Sequence, residues 1–258
     1  GVVMINSGKK DSALFYFRNA LFIRKQLNDE KGMAGACREL SYVFKAADQL
    51  DSAFSYCLQA LRINEKLGDP SLGLNYRDLG NLYIDYGNYK EANANYNKAL
   101  ELVIEANDSA NLALVYNSIG LLFYEQNNYV FALDNFSKAL SINEKLENTI
   151  GATQDYSNIA ACYFENKEFV KAKANYYKAL EYYQKENITS ELMMVYNALG
   201  NIFHETNEPD SAIFYLKKSI ELAKASDSRS LMALAYNKLS DVYAAQGNYK
   251  FAFNAHET

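Results

Sequence analysis

The chain has 258 residues, 49% of them apolar, with a net charge of −5, two prolines and twelve glycines. That balance excludes the clustered basic surface of a nucleic-acid binder, and so little Pro and Gly favours an almost wholly helical chain. Apolar runs such as "LMMV" (192–195) fall far short of a membrane span. Cys37, Cys57 and Cys162 are too few and odd in number for a disulfide framework. No Cys-x-x-Cys or Cys/His cluster suggests a metal, and no cofactor is expected. No signal peptide is visible at Gly1, which leaves the compartment open between cytoplasm and periplasm.

In chain order, residues 1–33 read as a partial unit carrying Ala13 and Ala20, with the turn "SGKKD" (7–11) before them. Residues 34–72 form a first full unit, with Cys37, Ser41, Ala53 and Ala60 in register. Residues 73–112 repeat it with Tyr76, Gly80, Ala92 and Ala99, and residues 113–152 with Tyr116, Gly120, Ala132 and Ala139. Residues 153–192 place Tyr156, Ala160, Ala172 and Ala179 alike, and residues 193–232 place Tyr196, Gly200, Ala212 and Ser219. A partial unit, 233–258, closes on Tyr236, Ser240 and Ala252. The step is 40 residues, with a single step of 39 between Ala53 and Ala92.

Small residues at fixed offsets let two helices approach closely while large neighbours fill the space beside them. Apolar residues at spacings of three and four give each helix one buried stripe, as Tyr116, Ile119, Gly120 and Phe123 do. Each unit therefore reads as two antiparallel helices. Turns such as "YGNYK" (86–90), "QNNYV" (126–130), "TNEPD" (206–210) and "QGNYK" (246–250) break the first helix. Between units, "GDPS" (68–71), "NDS" (107–109) and "SDSRS" (226–230) are expected to cap the next helix.

The spacing of Tyr76, Leu79, Gly80, Tyr83, Ala92, Tyr96 and Ala99 resembles the tetratricopeptide repeat, whose motif runs aromatic–x₂–Leu–Gly–x₂–Tyr with two later alanines. Tyrosine stands where the family carries tryptophan, and the closing proline is missing, which lets the second helix run on. The resemblance implies an all-α, right-handed superhelical solenoid of antiparallel helix pairs, five full repeats flanked by partial ones. Neither end shows the polar cap of a finished solenoid, so the array is expected to be a piece of a longer protein. The motif style is also similar to repeat regions of bacterial sensor kinases and helix-turn-helix regulators.

The same resemblance places the inner groove on the first helix of each unit, at the positions after the aromatic and after the small residue. The first series reads Arg38, Arg77, Asn117, Ser157, Asn197 and Asn237; the second reads Tyr42, Asn81, Leu121, Ala161, Asn201 and Asp241. An amide both donates and accepts, so a ladder of asparagines suits the backbone of an extended peptide; kinesin light chains carry similar ladders. The bland alternative is an inner face kept soluble by a common residue. Arg38 and Arg77 suit a carboxylate, although the lysine–asparagine set of chaperone-binding repeats is incomplete, with Arg38 and Asn81 its only echoes. Tyr124 and Phe164 are expected to project towards the groove as anchors. Asp85, Glu125, Glu165 and Glu205 form an acidic stripe at unit spacing. It reads as salt bridging to neighbouring lysines or as a track for basic segments.

No catalytic residues assemble. His204 and His256 fall in different units, away from Cys37 and Cys57, which replace aromatics at packing positions. The expected function is a non-catalytic scaffold that binds a protein or peptide and no nucleic acid, as the sensor or interaction region of a larger bacterial signalling protein. The alternative is a self-association module, a homodimer holding an absent output domain together.

Overall fold

A computed structural model of the chain describes residues 10–256, with the side chains of residues 11–252. Every element among the described residues is a helix. The chain divides between Asn128 and Tyr129 into two compact units. Unit 1 contains α1 (Lys10–Gln26), α2 (Glu30–Ala46), α3 (Leu50–Leu67), α4 (Leu72–Asp85), α5 (Tyr89–Glu105) and α6 (Ser109–Glu125). Unit 2 contains α7 (Tyr129–Lys145), α8 (Thr149–Glu165), α9 (Phe169–Lys185), α10 (Thr189–Glu205), α11 (Pro209–Ala225), α12 (Arg229–Ala245) and α13 (Tyr249–His256). Within each unit, helices adjacent in the chain pack against each other.

The 40-residue step follows from helices of 17 residues joined by three-residue turns, as in α8 and α9. The 39-residue step falls where "GDPS" lengthens the turn and α4 is only 14 residues long. The unit starts taken from the packing register (34, 73, 113, 153 and 193) fall inside the first helices, which begin at Glu30, Leu72, Ser109, Thr149 and Thr189. The register marks packing residues, whereas the helix opens a turn earlier, or one residue earlier in the shorter α4.

Each turn holds one residue in the left-handed region. Gly68, Gly87 and Gly247 fill it freely, and Asn28, Asp48, Asn107, Asn127, Asn187, Asn207 and Asp227 fill it with the short polar side chains that tolerate it best. Glu147 (φ 53°) and Lys167 (φ 61°) occupy it without that help. The amide following then returns to a carbonyl five residues back, as Glu168 N–H does to Tyr163 at 2.8 Å, which closes the helix.

Capping by side chains is more selective than expected. Asp108 accepts from the Asn111 amide at 3.0 Å, and Asp29, Asn88 and Asn148 act likewise on Gly32, Glu91 and Gly151. Ser71 and Ser228, by contrast, stand at the cap without a side-chain bond. In "GDPS" the Asp69 carboxylate instead accepts from the Ser71 amide at 2.8 Å, a turn bond that precedes the helix.

The small residues are the joints. A Cβ on Gly80 would stand 2.5 Å from the Tyr96 ring, and one on Gly200 2.6 Å from Leu216 Cγ. Where serine takes this place its hydroxyl donates across the joint, Ser41 to the Ala53 carbonyl at 2.8 Å and Ser240 to that of Ala252 at 2.9 Å. The alanines twelve residues on are sealed, as Ala53, Ala92, Ala132, Ala172 and Ala212 are. In unit 1 the core gathers Leu40, Phe44, Cys57 and Leu82, and a second cluster gathers Tyr96, Val103, Val115 and Leu122. In unit 2 it gathers Tyr176, Leu199, Ile202, Leu216 and Val242.

Tyrosine in place of tryptophan has a physical reason here. Tyr76 donates to Glu65 at 2.8 Å and Tyr156 to Glu144 at 2.6 Å. Gln184 donates to the Tyr196 hydroxyl at 2.9 Å, and Lys224 lies over the Tyr236 ring. Each partner sits on the preceding second helix. In the repeated box "INEKL" (63–67 and 142–146) the asparagine also bonds across, Asn64 to Asn75 at 2.6 Å and Asn143 to Asp155 at 2.7 Å. A tryptophan nitrogen could not accept from a glutamine, so the hydroxyl serves a wider set of partners.

Candidate functional site

The inner positions of unit 1 are already engaged with one another. Asp78, on α4, is buried, and its carboxylate accepts from Arg38 Nε at 2.7 Å, from the Tyr42 hydroxyl at 2.7 Å and from Arg77 at 2.6 Å. Both guanidiniums also donate to the Tyr42 hydroxyl, each at 3.1 Å. Burial works against the charge on Arg38 and Arg77, but the Asp78 carboxylate outweighs it and lifts both above the ordinary arginine range. Burial, reinforced by that carboxylate, pushes the Tyr42 phenol up to about 12. Asn81 accepts from the Tyr96 hydroxyl at 2.6 Å. The carboxylate that the two arginines were expected to take from a ligand is thus supplied by Asp78, one residue beyond Arg77. Asn117 on α6 is half-buried and Leu121 exposed.

Unit 2 presents the opposite arrangement. Asn197 on α10 is 5% exposed, and neither its side-chain oxygen nor its nitrogen has a hydrogen-bond partner. One helical turn on, Asn201 leaves its buried Oδ1 unpaired, and on α8 Asn158 leaves its buried Nδ2 unpaired. An unmet buried polar group costs about 1–3 kcal/mol, so this stripe carries a standing penalty. Asn237 and Asp241 lie exposed on α12, and Asp241 pairs with Lys238 at 3.2 Å.

Beside this stripe lies a cavity of about 320 Å³, lined from α8 by Ser157, Asn158 and Ala161 and from α10 by Glu191 and Met194, with Tyr176 and Tyr183 of α9. Ser157 and Ala161 leave space on its α8 wall. At the two positions where α10 carries Asn197 and Asn201, α8 carries a hydroxymethyl and a methyl group. Burial pushes the Tyr183 phenol above its ordinary range; the Ser157 hydroxyl opposes this, and the charges of Glu191 and Asp155 add to it. Neither the cavity nor Asn158 was singled out in sequence. Two consecutive small residues in series otherwise rich in Asn and Arg were the signal.

The other expected residues divide. Phe164 turns into the packing of unit 2 and meets Phe169 at 5.8 Å between ring centroids, so it is a core contact more than a groove anchor. Tyr124 is half-buried. In the acidic stripe Asp85 is bridged by Lys45 at 2.7 Å, the structural reading of that position. Glu125, Glu165 and Glu205 are exposed at the ends of α6, α8 and α10.

The thiols are unsuited to chemistry. Burial pushes Cys37 up to about 11 and Cys57 and Cys162 up to about 12, and all three are free thiols. His204 lies in the last turn of α10, while the side chain of His256 lies outside the described residues. Among the described residues no three His, Cys, Asp or Glu side chains form a metal-binding group, and no helix is long and apolar enough to cross a membrane.

Paired helices, small-residue joints and a polar first-helix stripe define an all-α repeat protein of the solenoid class. The tetratricopeptide repeat model matches residues 34–105, 74–145 and 155–225, and the chain belongs to that family. Its fold is similar to apo RapI, at 18% identity over 100% of this chain and 92% of that one, TM-score 0.72. It is also similar to a Rap protein complexed with Competence and Sporulation Factor, at 16% identity over 96% and 74%, TM-score 0.71. A third likeness is to a Signal Transduction ATPase with Numerous Domains protein from Pyrococcus horikoshii, with a tetratricopeptide repeat sensor. There the identity is 20% over 88% of this chain and 36% of that one, TM-score 0.71. No curated protein matches the chain in sequence. Repeats of this family serve as protein-interaction scaffolds, and that is the class of this chain.

Proposed function

We propose that unit 2 binds an extended segment of a partner protein along α8, α10 and α12, with Asn197 and Asn201 pairing to its backbone. The observation that carries this reading is Asn197, buried with both side-chain atoms unpaired. A carboxamide offers two donors and two lone pairs, so an extended backbone, which presents N–H and C=O groups, meets them once the buried side chain turns out towards the α10 surface. Asn237 extends the same series onto α12, where it is exposed. The array then acts as the sensor or interaction region of a signalling protein. The Rap protein complexed with Competence and Sporulation Factor and the repeat sensor of the signal-transduction ATPase lend support to that role.

Selection of a displayed random peptide library on the purified chain tests the reading. Recovered peptides should lose tenfold or more in affinity against the variant Asn197→Ala, Asn201→Ala, Asn237→Ala, since each amide contributes about 0.5–1.5 kcal/mol net. Unchanged affinity in a folded triple variant would refute it.

A further inference from the structure

The cavity beside the unpaired amides differs from them in chemistry. Its walls are apolar or aromatic over most of their extent: Ile150 and Met194, with the rings of Tyr176 and Tyr183. At about 320 Å³ it stands at the lower end of the range of ligand pockets, roughly 300–1,000 Å³, and suits one side chain better than a whole ligand. One charged residue lines it, Glu191, and no lysine or arginine does. The Glu191 carboxylate accepts from the Ser190 hydroxyl and enters no ion pair among the described residues. Asp155, buried and bonded to Asn143, is a second carboxylate whose charge acts on the Tyr183 ring of the wall. The charges felt by Tyr183 at the wall, from Glu191 and Asp155, are therefore negative.

A carboxylate in the first turn of α10 complements the helix dipole. That accounts for an acidic residue at this place, not for the cavity in front of it. There α8 carries Ser157 and Ala161, which leave space on the wall. An apolar, ring-lined space ending in an unneutralised carboxylate fits a side chain with a long apolar stem and a cationic head: the stem packs on Met194 and the rings, and the head reaches Glu191 or a ring face. Asn158 and Gln154 of α8 supply amides to the same lining.

We propose that this cavity is a side-chain pocket for a lysine or arginine of the bound segment, with Glu191 as its counter-charge. The pocket rests on the reading of unit 2 as a peptide groove and adds its specificity.

The same library selection tests it. Recovered peptides should share one basic residue at a fixed place, and replacing that residue by glutamine in a synthetic peptide should weaken binding about tenfold. Against Glu191→Gln the basic peptide and its glutamine analogue should bind alike. Ala161→Leu, which fills the cavity from a helix position that tolerates leucine, should level them too, with helicity by circular dichroism unchanged. Peptides recovered without a shared basic residue, or a preference that survives Glu191→Gln, would overturn the pocket and leave the groove standing. Failure to recover any peptide would overturn both.

Discussion

The first helices of the two units occupy the same register and treat their polar side chains in opposite ways. In unit 1, Arg38, Tyr42 and Arg77 converge on Asp78, and every one of them has a partner. In unit 2, Asn197 and Asn201 stand at the corresponding places with buried atoms unpaired, and Asn158, with a further unpaired atom, lines an open cavity. One face is closed by its own ion pairs. The other carries a penalty that an arriving backbone would remove. The difference lies in the first inner position, which holds arginines neutralised by the neighbouring Asp78 in unit 1 and a neutral amide, Asn197, in unit 2.

The comparison breaks most sharply at Asp78. Asp78→Ala strands two guanidiniums that are largely buried, and removing one partner of a buried pair costs about 3–5 kcal/mol. A clear fall in the denaturant midpoint is expected, with any peptide affinity of unit 2 retained. A loss below 1 kcal/mol would mean that unit 1 is not held by this network.

The joints should behave alike in both units. Gly80→Leu and Gly200→Leu each place side-chain atoms where a Cβ alone would come within 2.5 and 2.6 Å of a buried neighbour. Overpacking of this kind costs about 1–3 kcal/mol, read as a lower midpoint in chemical denaturation for either variant. A difference between the two larger than that range would show that the units are not equivalent in packing.

The smallest effect expected is at Lys167, in the left-handed region at φ 61°. Lys167→Gly should stabilise the chain by up to about 1 kcal/mol, because it relieves about 1–2 kcal/mol of left-handed strain and returns part of that as unfolded-chain freedom, whereas glycine at Asn187, already a tolerant residue at φ 53°, should change it less. The thermal midpoints of the two variants measure this directly.

Much of this was legible in the sequence. The 40-residue step, the alanine joints and the Asn and Asp turns follow from packing and backbone rules that act locally, so spacing alone reveals them. The network on Asp78 was not, because Asp78 belongs to neither inner series and meets Arg38 and Tyr42 only once two first helices lie side by side. Phe164 misled for a related reason: sequence gives its helix position but not Phe169, against which it packs. The cavity was hidden since Ser157 and Ala161 contribute to it by what they lack. The tyrosines that replace tryptophan look like a departure until Glu65 and Glu144 are seen to accept from them.

The central claim is that the Asn197 amide is held unpaired for a ligand. Chemical denaturation of Asn197→Leu beside the parent chain, followed by titration with a library-selected peptide, tests it most directly. Leucine is close in size and brings no unmet polar atoms, so the free variant should be more stable, by about 1 kcal/mol or more, while peptide affinity falls. A variant that is less stable than the parent, or one that binds as well, would contradict the account.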